Sequence, residues 1–238
     1  MKTVNRGIAG VVVPVLARLP VTPNQVTLLG LATGLVAAWR FREGAAGWLG
    51  GALWLQLSFV LDNCDGTLAR RQGRTSGFGS WLDTISDCIV NMAFFFALGI
   101  GLSRDSGQAL WARVGMVTAV GVAFSYAMAF AAQVGRRGVD AWRHPDPPPG
   151  GPPESTLVAL RKRAREDFSW VVLAAALAHH MGWLLYCGLV SSFAIGVTSL
   201  LSIGRTARET TLPANAPALL TPVDEPWVFR DEDERLSP

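Results

Sequence analysis

The sequence predicts an all-α integral membrane protein, with six transmembrane helices preceded by an N-terminal interfacial amphipathic helix. Three observations lead there. Half of the 238 residues are hydrophobic and only 16% are charged, against about 25% in ordinary soluble domains. Four stretches, 44–61, 88–103, 114–135 and 168–204, carry no charged side chain. The basic residues fall into groups that alternate with these stretches. A soluble helical core of this composition would lack the polar residues needed to cover it. The same composition excludes a disordered chain, a collagen-like repeat and a disulfide scaffold. A balance of 21 basic to 18 acidic residues gives no indication of nucleic acid as a partner. Cys64, Cys88 and Cys187 stand too far apart for metal-ligand spacing.

Residues 3–19 read as the interfacial helix, with Arg6 and Arg18 near the headgroups. The apolar run 8–17 is short and interrupted by Pro14, unlike a cleavable signal peptide. A membrane crossing needs about 20 mostly apolar residues. The first span, 24–41, opens on Thr22-Pro23-Asn24, a helix-start signal. Spans 45–69, 79–103 and 111–134 follow. The stretch 168–204 would be about 55 Å long as one helix, too long for a single crossing. It reads as two spans, 167–186 and 189–205, with a tight turn near Cys187–Ser192. His179 and His180 then fall inside the fifth span as packing or interfacial residues. Trp39, Trp48, Trp111 and Trp183 fall near span ends, as an aromatic belt would. The segment 144–156, HPDPPPGGPPEST, is a Pro/Gly linker within a loop. Residues 1–206 therefore form the membrane domain. Residues 207–238, which include Asp231-Glu232-Asp233-Glu234, form an acidic tail expected to be disordered.

Six spans place both termini on one side. That side collects 17 of the 21 Lys and Arg, leaving Arg40, Arg42, Arg104 and Arg113 on the other. The positive-inside rule makes the basic side cytoplasmic. The expectation is a multi-pass protein of the cell membrane with its termini in the cytoplasm.

The chemistry is concentrated in residues 62–87, DNCDGTLARRQGRTSGFGSWLDTISD. Asp62 and Asp65 are three apart at the cytoplasmic end of the second span. Asp83 and Asp87 are four apart near the start of the third. Residues at these spacings share a helix face, and the short connection brings the two acidic stripes together. Acids within a span are costly and mark a polar cavity or a partner. Four of them repel one another unless cations neutralise the charge, and oxygen-only ligands suit Mg²⁺ or Mn²⁺. The alternative is interfacial charge, with Asp62 or Asp65 paired to Arg70. The intervening loop carries Gly66, Gly73, Gly77 and Gly79 with Arg70, Arg71, Arg74, Thr75 and Ser76. Glycine admits close approach of backbone to a ligand, and guanidinium and hydroxyl groups hold phosphate. A two-metal carboxylate site beside such a loop suits a diphosphate.

The segment resembles the signature of the CDP-alcohol phosphotransferase family, D-x2-D-G-x2-A-R-x8-G-x3-D-x3-D. Asp62, Asp65, Gly66, Ala69, Arg70, Gly79, Asp83 and Asp87 match it throughout. Thr22-Pro23-Asn24-Gln25-Val26-Thr27 is similar to the family's T-P-N-x-x-T segment. The resemblance covers residues 1 to about 205. It implies six spans around a polar cavity open to the cytoplasm, and a homodimer. The implied chemistry is transfer of a substituted phosphate from a CDP-linked donor, such as CDP-diacylglycerol, to a polar alcohol or alcohol phosphate, releasing CMP in phospholipid biosynthesis. By resemblance, Asp62, Asp65 and Asp83 bind one Mg²⁺ or Mn²⁺, and Asp62, Asp83 and Asp87 bind a second. Asp87 also serves as catalytic base. Gly66, Arg70, Ser76 and Gly79 hold the donor, with Thr22, Pro23, Asn24 and Gln25 lining the same nucleotide site.

The acceptor is less defined. Family members that use an alcohol phosphate usually carry a lysine after the fourth span, where this chain reads Gln133-Val134-Gly135-Arg136-Arg137. Arg136, Arg165 and Arg205 are the acceptor candidates. A soluble donor such as CDP-inositol, joined to inositol phosphate, is the alternative within the family. Outside it stand an intramembrane prenyltransferase, which the Gly66, Ala69 and Arg70 spacing disfavours, and a cation transporter, which would bind no cytidine nucleotide.

Overall fold

The computed structural model describes residues 4–137 and 168–211, with residues 133–137 and 204–211 described as backbone only. Seven α-helices and no strand occur among the described residues: α1 (Val4–Leu16), α2 (Pro23–Phe41), α3 (Ala45–Arg71), α4 (Gly77–Ser106), α5 (Leu110–Arg137), α6 (Phe168–Leu177) and α7 (Met181–Thr211). Three of them, over Gly77–Ser106, Leu110–Ala132 and Met181–Ile203, are long and apolar enough to cross a membrane by length and composition.

Local chemistry sets the ends of α2, α3 and α4. Thr22 caps α2 in a reciprocal pair: its hydroxyl accepts from the Gln25 N–H, and the Gln25 side chain accepts from the Thr22 N–H at 2.9 Å. Pro23 follows in the first turn, where its missing N–H costs nothing. Gly44, at φ 77°, turns the chain between α2 and α3. The Asp105 carboxylate at the far end of α4 accepts from the Ala45 N–H at 2.7 Å, which ties the start of α3 to the end of α4. Ser76 caps α4, its hydroxyl accepting from the Gly79 N–H at 3.0 Å.

Two apolar clusters hold the helices. The larger joins α2 to α7 around Phe41, Leu55, Phe94, Leu98, Met181 and Leu185. Within it Phe41 and Phe94 meet edge to face at 4.9 Å, a favoured aromatic geometry. The smaller seats Ala9 and Val13 of α1 against Leu61, Cys64 and Leu68 of α3. A buried polar knot pins α1 further. The Asn5 side chain donates to the Ser169 hydroxyl (3.1 Å) and accepts from Gln56 (2.7 Å) and the Trp170 indole (3.0 Å). Helix α2 packs closely against both α3 and α4, whereas α3 and α4 meet only slightly. The gap left between α3 and α4 holds the site.

Helices α2 to α5 coincide with the first four expected spans to within about three residues at either end, but of these only α4 and α5 are long and apolar enough to cross a membrane. The expected turn near Cys187–Ser192 is absent, because α7 runs unbroken through it. The break lies at Ala178–His180. His179, at φ 56°, adopts the left-handed conformation. The His180 N–H reaches the Ala175 carbonyl (2.9 Å) and the His179 N–H that of Ala176 (3.3 Å). This is the paired-bond ending of an α-helix. The two histidines thus form an exposed turn, not the interior of a span. Helix α7 also continues to Thr211, past the expected domain end at 206. The rest of the tail and the 144–156 linker lie outside the described residues.

Candidate active site

Both acid pairs reach one place. Asp62 and Asp65 sit three and two turns before the end of α3, and Asp83 and Asp87 lie in the first three turns of α4. Asp62 hydrogen-bonds with the Asp83 side chain and interacts electrostatically with Asp65 and Asp87. Asp65, only 5% exposed, interacts with Asp83 and Asp87 in turn. Its own oxygens are oriented: one accepts from the Thr27 hydroxyl of α2, the other from the Gly66 N–H, both at 2.5 Å. Thr27 also lies 3.2 Å from the Pro23 carbonyl, but a hydroxyl has one proton, and the shorter contact to a carboxylate is the stronger. Arg70 directs its guanidinium at the Thr67 hydroxyl (3.4 Å) rather than at either acid.

A cavity of about 260 Å³ opens here. Pro23, Asn24 and Thr27 of α2 line one wall. Asp65, Gly66, Ala69 and Arg70 of α3 and Ser76, Gly79 and Asp83 of α4 line the others, with Arg74 and Thr75 from the α3–α4 loop. The first turn of α4 borders this space through Ser76, Gly79 and Ser80, so the positive end of the helix dipole lies beside it, an arrangement suited to phosphate. Gly79 matters for approach: a Cβ there would stand 3.3 Å from the Asn24 side-chain oxygen Oδ1 and 3.2 Å from the Ser76 hydroxyl. The closeness that glycine allows is therefore between α4 and the first turn of α2. A second cavity of about 540 Å³ adjoins the first, lined by Leu19, Pro20, Val21, Thr22, Gln72 and Arg74.

The donor set is four carboxyl groups in a small space, hard oxygen ligands that fit Mg²⁺ or Mn²⁺ in kind. Among the described residues no three acidic, histidine or cysteine side chains stand close enough to hold an ion as they are oriented.

Of the expected donor-binding residues, Pro23, Asn24, Gly66, Arg70, Ser76 and Gly79 line this cavity together. Thr22 and Gln25 do not line it. Both are occupied as the α2 cap, and Thr22 lines the neighbouring cavity. Arg165 lies outside the described residues, and Arg136 and Arg205 lie in helices whose side chains are not described there. Thr27, which lines the cavity and donates to Asp65, is not among the site residues expected from the sequence. Its signal was present as the last position of the T-P-N-x-x-T segment, one helical turn after Pro23.

Two acid-bearing helix faces thus meet beside a cavity in an all-helical, apolar protein. The family model for CDP-alcohol phosphatidyltransferases matches residues 20–147, and the chain belongs to that family. It is 38% identical over 104 residues to the bifunctional IPC transferase and DIPP synthase of Aquifex aeolicus, covering 44% of this chain and 24% of that protein. It is 34% identical over 117 residues to the phosphatidylinositol phosphate synthase of Cutibacterium acnes, covering 48% and 55%. The chain thus spans a quarter to about half the length of these relatives. The crystal structure of Mycobacterium tuberculosis phosphatidylinositol phosphate synthase with CDP-DAG bound superposes with a TM-score of 0.55 at 25% identity, covering 84% of this chain and 93% of that one.

Proposed function

We propose that this chain is an integral-membrane transferase that moves a substituted phosphate, phosphatidyl from CDP-diacylglycerol, to an alcohol phosphate and releases CMP. The observation that carries the reading is the convergence of Asp62, Asp65, Asp83 and Asp87 beside a cavity walled by Arg70, Ser76 and the start of α4. Two relatives bear the name phosphatidylinositol phosphate synthase or archaetidylinositol phosphate synthase, so inositol phosphate is the acceptor we favour. Arg136, Arg165 and Arg205 are our candidates for gripping its phosphate. The names of further relatives, bifunctional IPC transferases and DIPP synthases, keep a soluble CDP-alcohol donor as the second reading.

The residues divide the work. The cavity seats the CDP diphosphate, with Arg70 and the N–H groups at the start of α4 facing its oxygens. Ser76 accepts from Gly79 through its hydroxyl oxygen and keeps its own proton for a phosphate oxygen. Asp87 accepts the proton of the acceptor hydroxyl. That oxygen then bonds to the lipid-side phosphorus, and the bond from this phosphorus to the bridging oxygen breaks as CMP leaves. Two Mg²⁺ or Mn²⁺ ions, held by the four aspartates, would neutralise the diphosphate and polarise its phosphoryl oxygens. Positioning and charge neutralisation are most of what phosphoryl transfer requires. We place the site at the cytoplasmic face of a six-span homodimer, where lipid tails stay in the bilayer while the headgroup enters the cavity.

The test is a product screen. Purified protein with Mg²⁺ or Mn²⁺ is given CDP-diacylglycerol or CDP-inositol, each against inositol phosphate, glycerol phosphate, serine and inositol. CMP release with a phosphatidylinositol phosphate product is expected. A folded protein that releases CMP from no donor sinks the proposal.

A further inference from the structure

The structure assigns Arg74 as a second donor-phosphate-binding residue, held in place by a left-handed turn at Gly73. The inference rests on the donor reading above and extends it to a residue outside the family signature.

Three arginines, Arg70, Arg71 and Arg74, follow one another within five residues, and the sequence does not rank them. The fold does. Arg70 and Arg74 line the cavity that Asp65 and Asp83 also line, and Arg71 does not. Arg74 is the one residue on both cavities' walls, so its side chain stands at the partition between them. Its position follows from how α3 ends. The Gly73 N–H bonds the Arg70 carbonyl (3.4 Å) and the Arg74 N–H bonds the Ala69 carbonyl (2.9 Å). Gly73 takes φ 62° between them. This paired-bond ending reverses the chain at a defined angle. Arg74 is thereby set one turn beyond Arg70, bordering the same space, while Arg71 lines neither cavity. A Cβ on Gly73 would meet nothing within 4 Å, so glycine is required there by conformation and not by space.

The chemistry of the cavity calls for such a residue. Asp65 and Asp83 line it, and their acidic partners stand close behind. A diphosphate entering meets a negative wall on one side. The planar, permanently charged guanidinium fork is suited to nonbridging phosphate oxygens. Arg74 has no side-chain ion pair among the described residues to compete for it. Arg70 and Arg74 would hold the diphosphate from two directions on the face away from the acids.

CDP titration in detergent with Mg²⁺ tests this, using wild-type protein, Arg74→Ala, Arg74→Lys and Arg71→Ala, each checked for folding by thermal unfolding. The expected result is CDP binding roughly ten- to a hundredfold weaker in Arg74→Ala, the loss of one charge-assisted phosphate contact. Arg74→Lys should recover part of it, and Arg71→Ala should match wild type. Arg71→Ala removes the same charge three residues earlier, at the end of α3. Equal weakening by the two alanine variants would show general attraction and overturn the assignment, as would unchanged binding in Arg74→Ala. Wild-type protein that binds no CDP would instead remove the donor reading itself, and this assignment with it.

Discussion

At the scale of single residues, two substitutions separate chemistry from support. Asp87→Asn keeps shape and hydrogen-bonding capacity while removing the proton acceptor. Turnover should fall by at least about a hundredfold, the usual size of a general-base contribution. Removing one negative charge from a group of four that interact relieves repulsion, so the unfolding temperature should not drop. Full CMP release by this variant, measured under saturating donor, would exclude Asp87 as base. Thr27→Val tests orientation. Valine fills the same volume on α2 but leaves one oxygen of the buried Asp65 without its donor. Partners that orient ligand carboxylates are typically worth ten- to a hundredfold in metal affinity. The Mg²⁺ concentration giving half-maximal activity should rise by about that factor, with rate restored at high Mg²⁺. An unchanged Mg²⁺ profile would leave Thr27 with only a packing role. The aspartates were legible from spacing alone, because i+3 and i+4 pairs on adjoining helices have few other uses within an apolar chain. Thr27 was harder to see, since a threonine inside a helix usually bonds its own turn. Only the fold shows that its hydroxyl crosses to α3.

At the scale of helices, glycines carry meanings that sequence does not distinguish. Gly188 lies within the expected turn at Cys187–Ser192. In the structure it is a packing site: a Cβ there would fall 2.2 Å from the Phe95 ring. The true break, at His179, has no glycine or proline and lies within a stretch without charge, so neither punctuation nor charge marks it. The start of α2 was legible because Thr22-Pro23 caps it locally, whereas the turn at Gly44 and the cap at Ser76 emerge only from the structure. Helix-to-helix approach was not legible, and Gly99 with Gly115 is its clearest case. A Cβ on Gly99 would come within 2.7 Å of the Gly115 Cα and the Trp111 carbonyl oxygen, and one on Gly115 within 2.8 Å of the Gly99 Cα. These are backbone atoms that cannot rotate away, so α4 and α5 cross on bare backbone, as close-packed membrane helices do. Gly99→Ala should separate them and destabilise the protein by about 1–3 kcal/mol, the usual cost of overpacking, read as a lower unfolding temperature in detergent. An unchanged unfolding temperature would mean that the crossing is looser than its geometry. The substitution lies far along α4 from Asp83, so CDP affinity of the folded fraction should hold.

At the scale of the whole molecule, the site occupies one end. Its walls come from the first turns of α2 and α4 and the last turns of α3, while Asp105 and Ala45 meet at the opposite end. Helix α3 alone, with 27 residues, is about 40 Å long at 1.5 Å per residue, longer than the roughly 30 Å hydrocarbon core of a bilayer. The two ends must then emerge on opposite faces if α3 crosses the membrane. The charges choose which: Arg70, Arg71 and Arg74 are at the site end, whereas Arg40, Arg42 and Arg104 are at the other. Single cysteines at Arg71 and Gln108, both exposed positions, test this in a background with Cys64, Cys88 and Cys187 replaced by serine. In intact cells a membrane-impermeant thiol reagent should label Gln108→Cys, while Arg71→Cys should react only after the membrane is opened. Labelling of both from outside would mean that α3 does not cross. The reverse pattern would put the donor cavity on the face away from cytoplasmic nucleotides, and the proposed reaction would lose its supply of CDP-linked substrate.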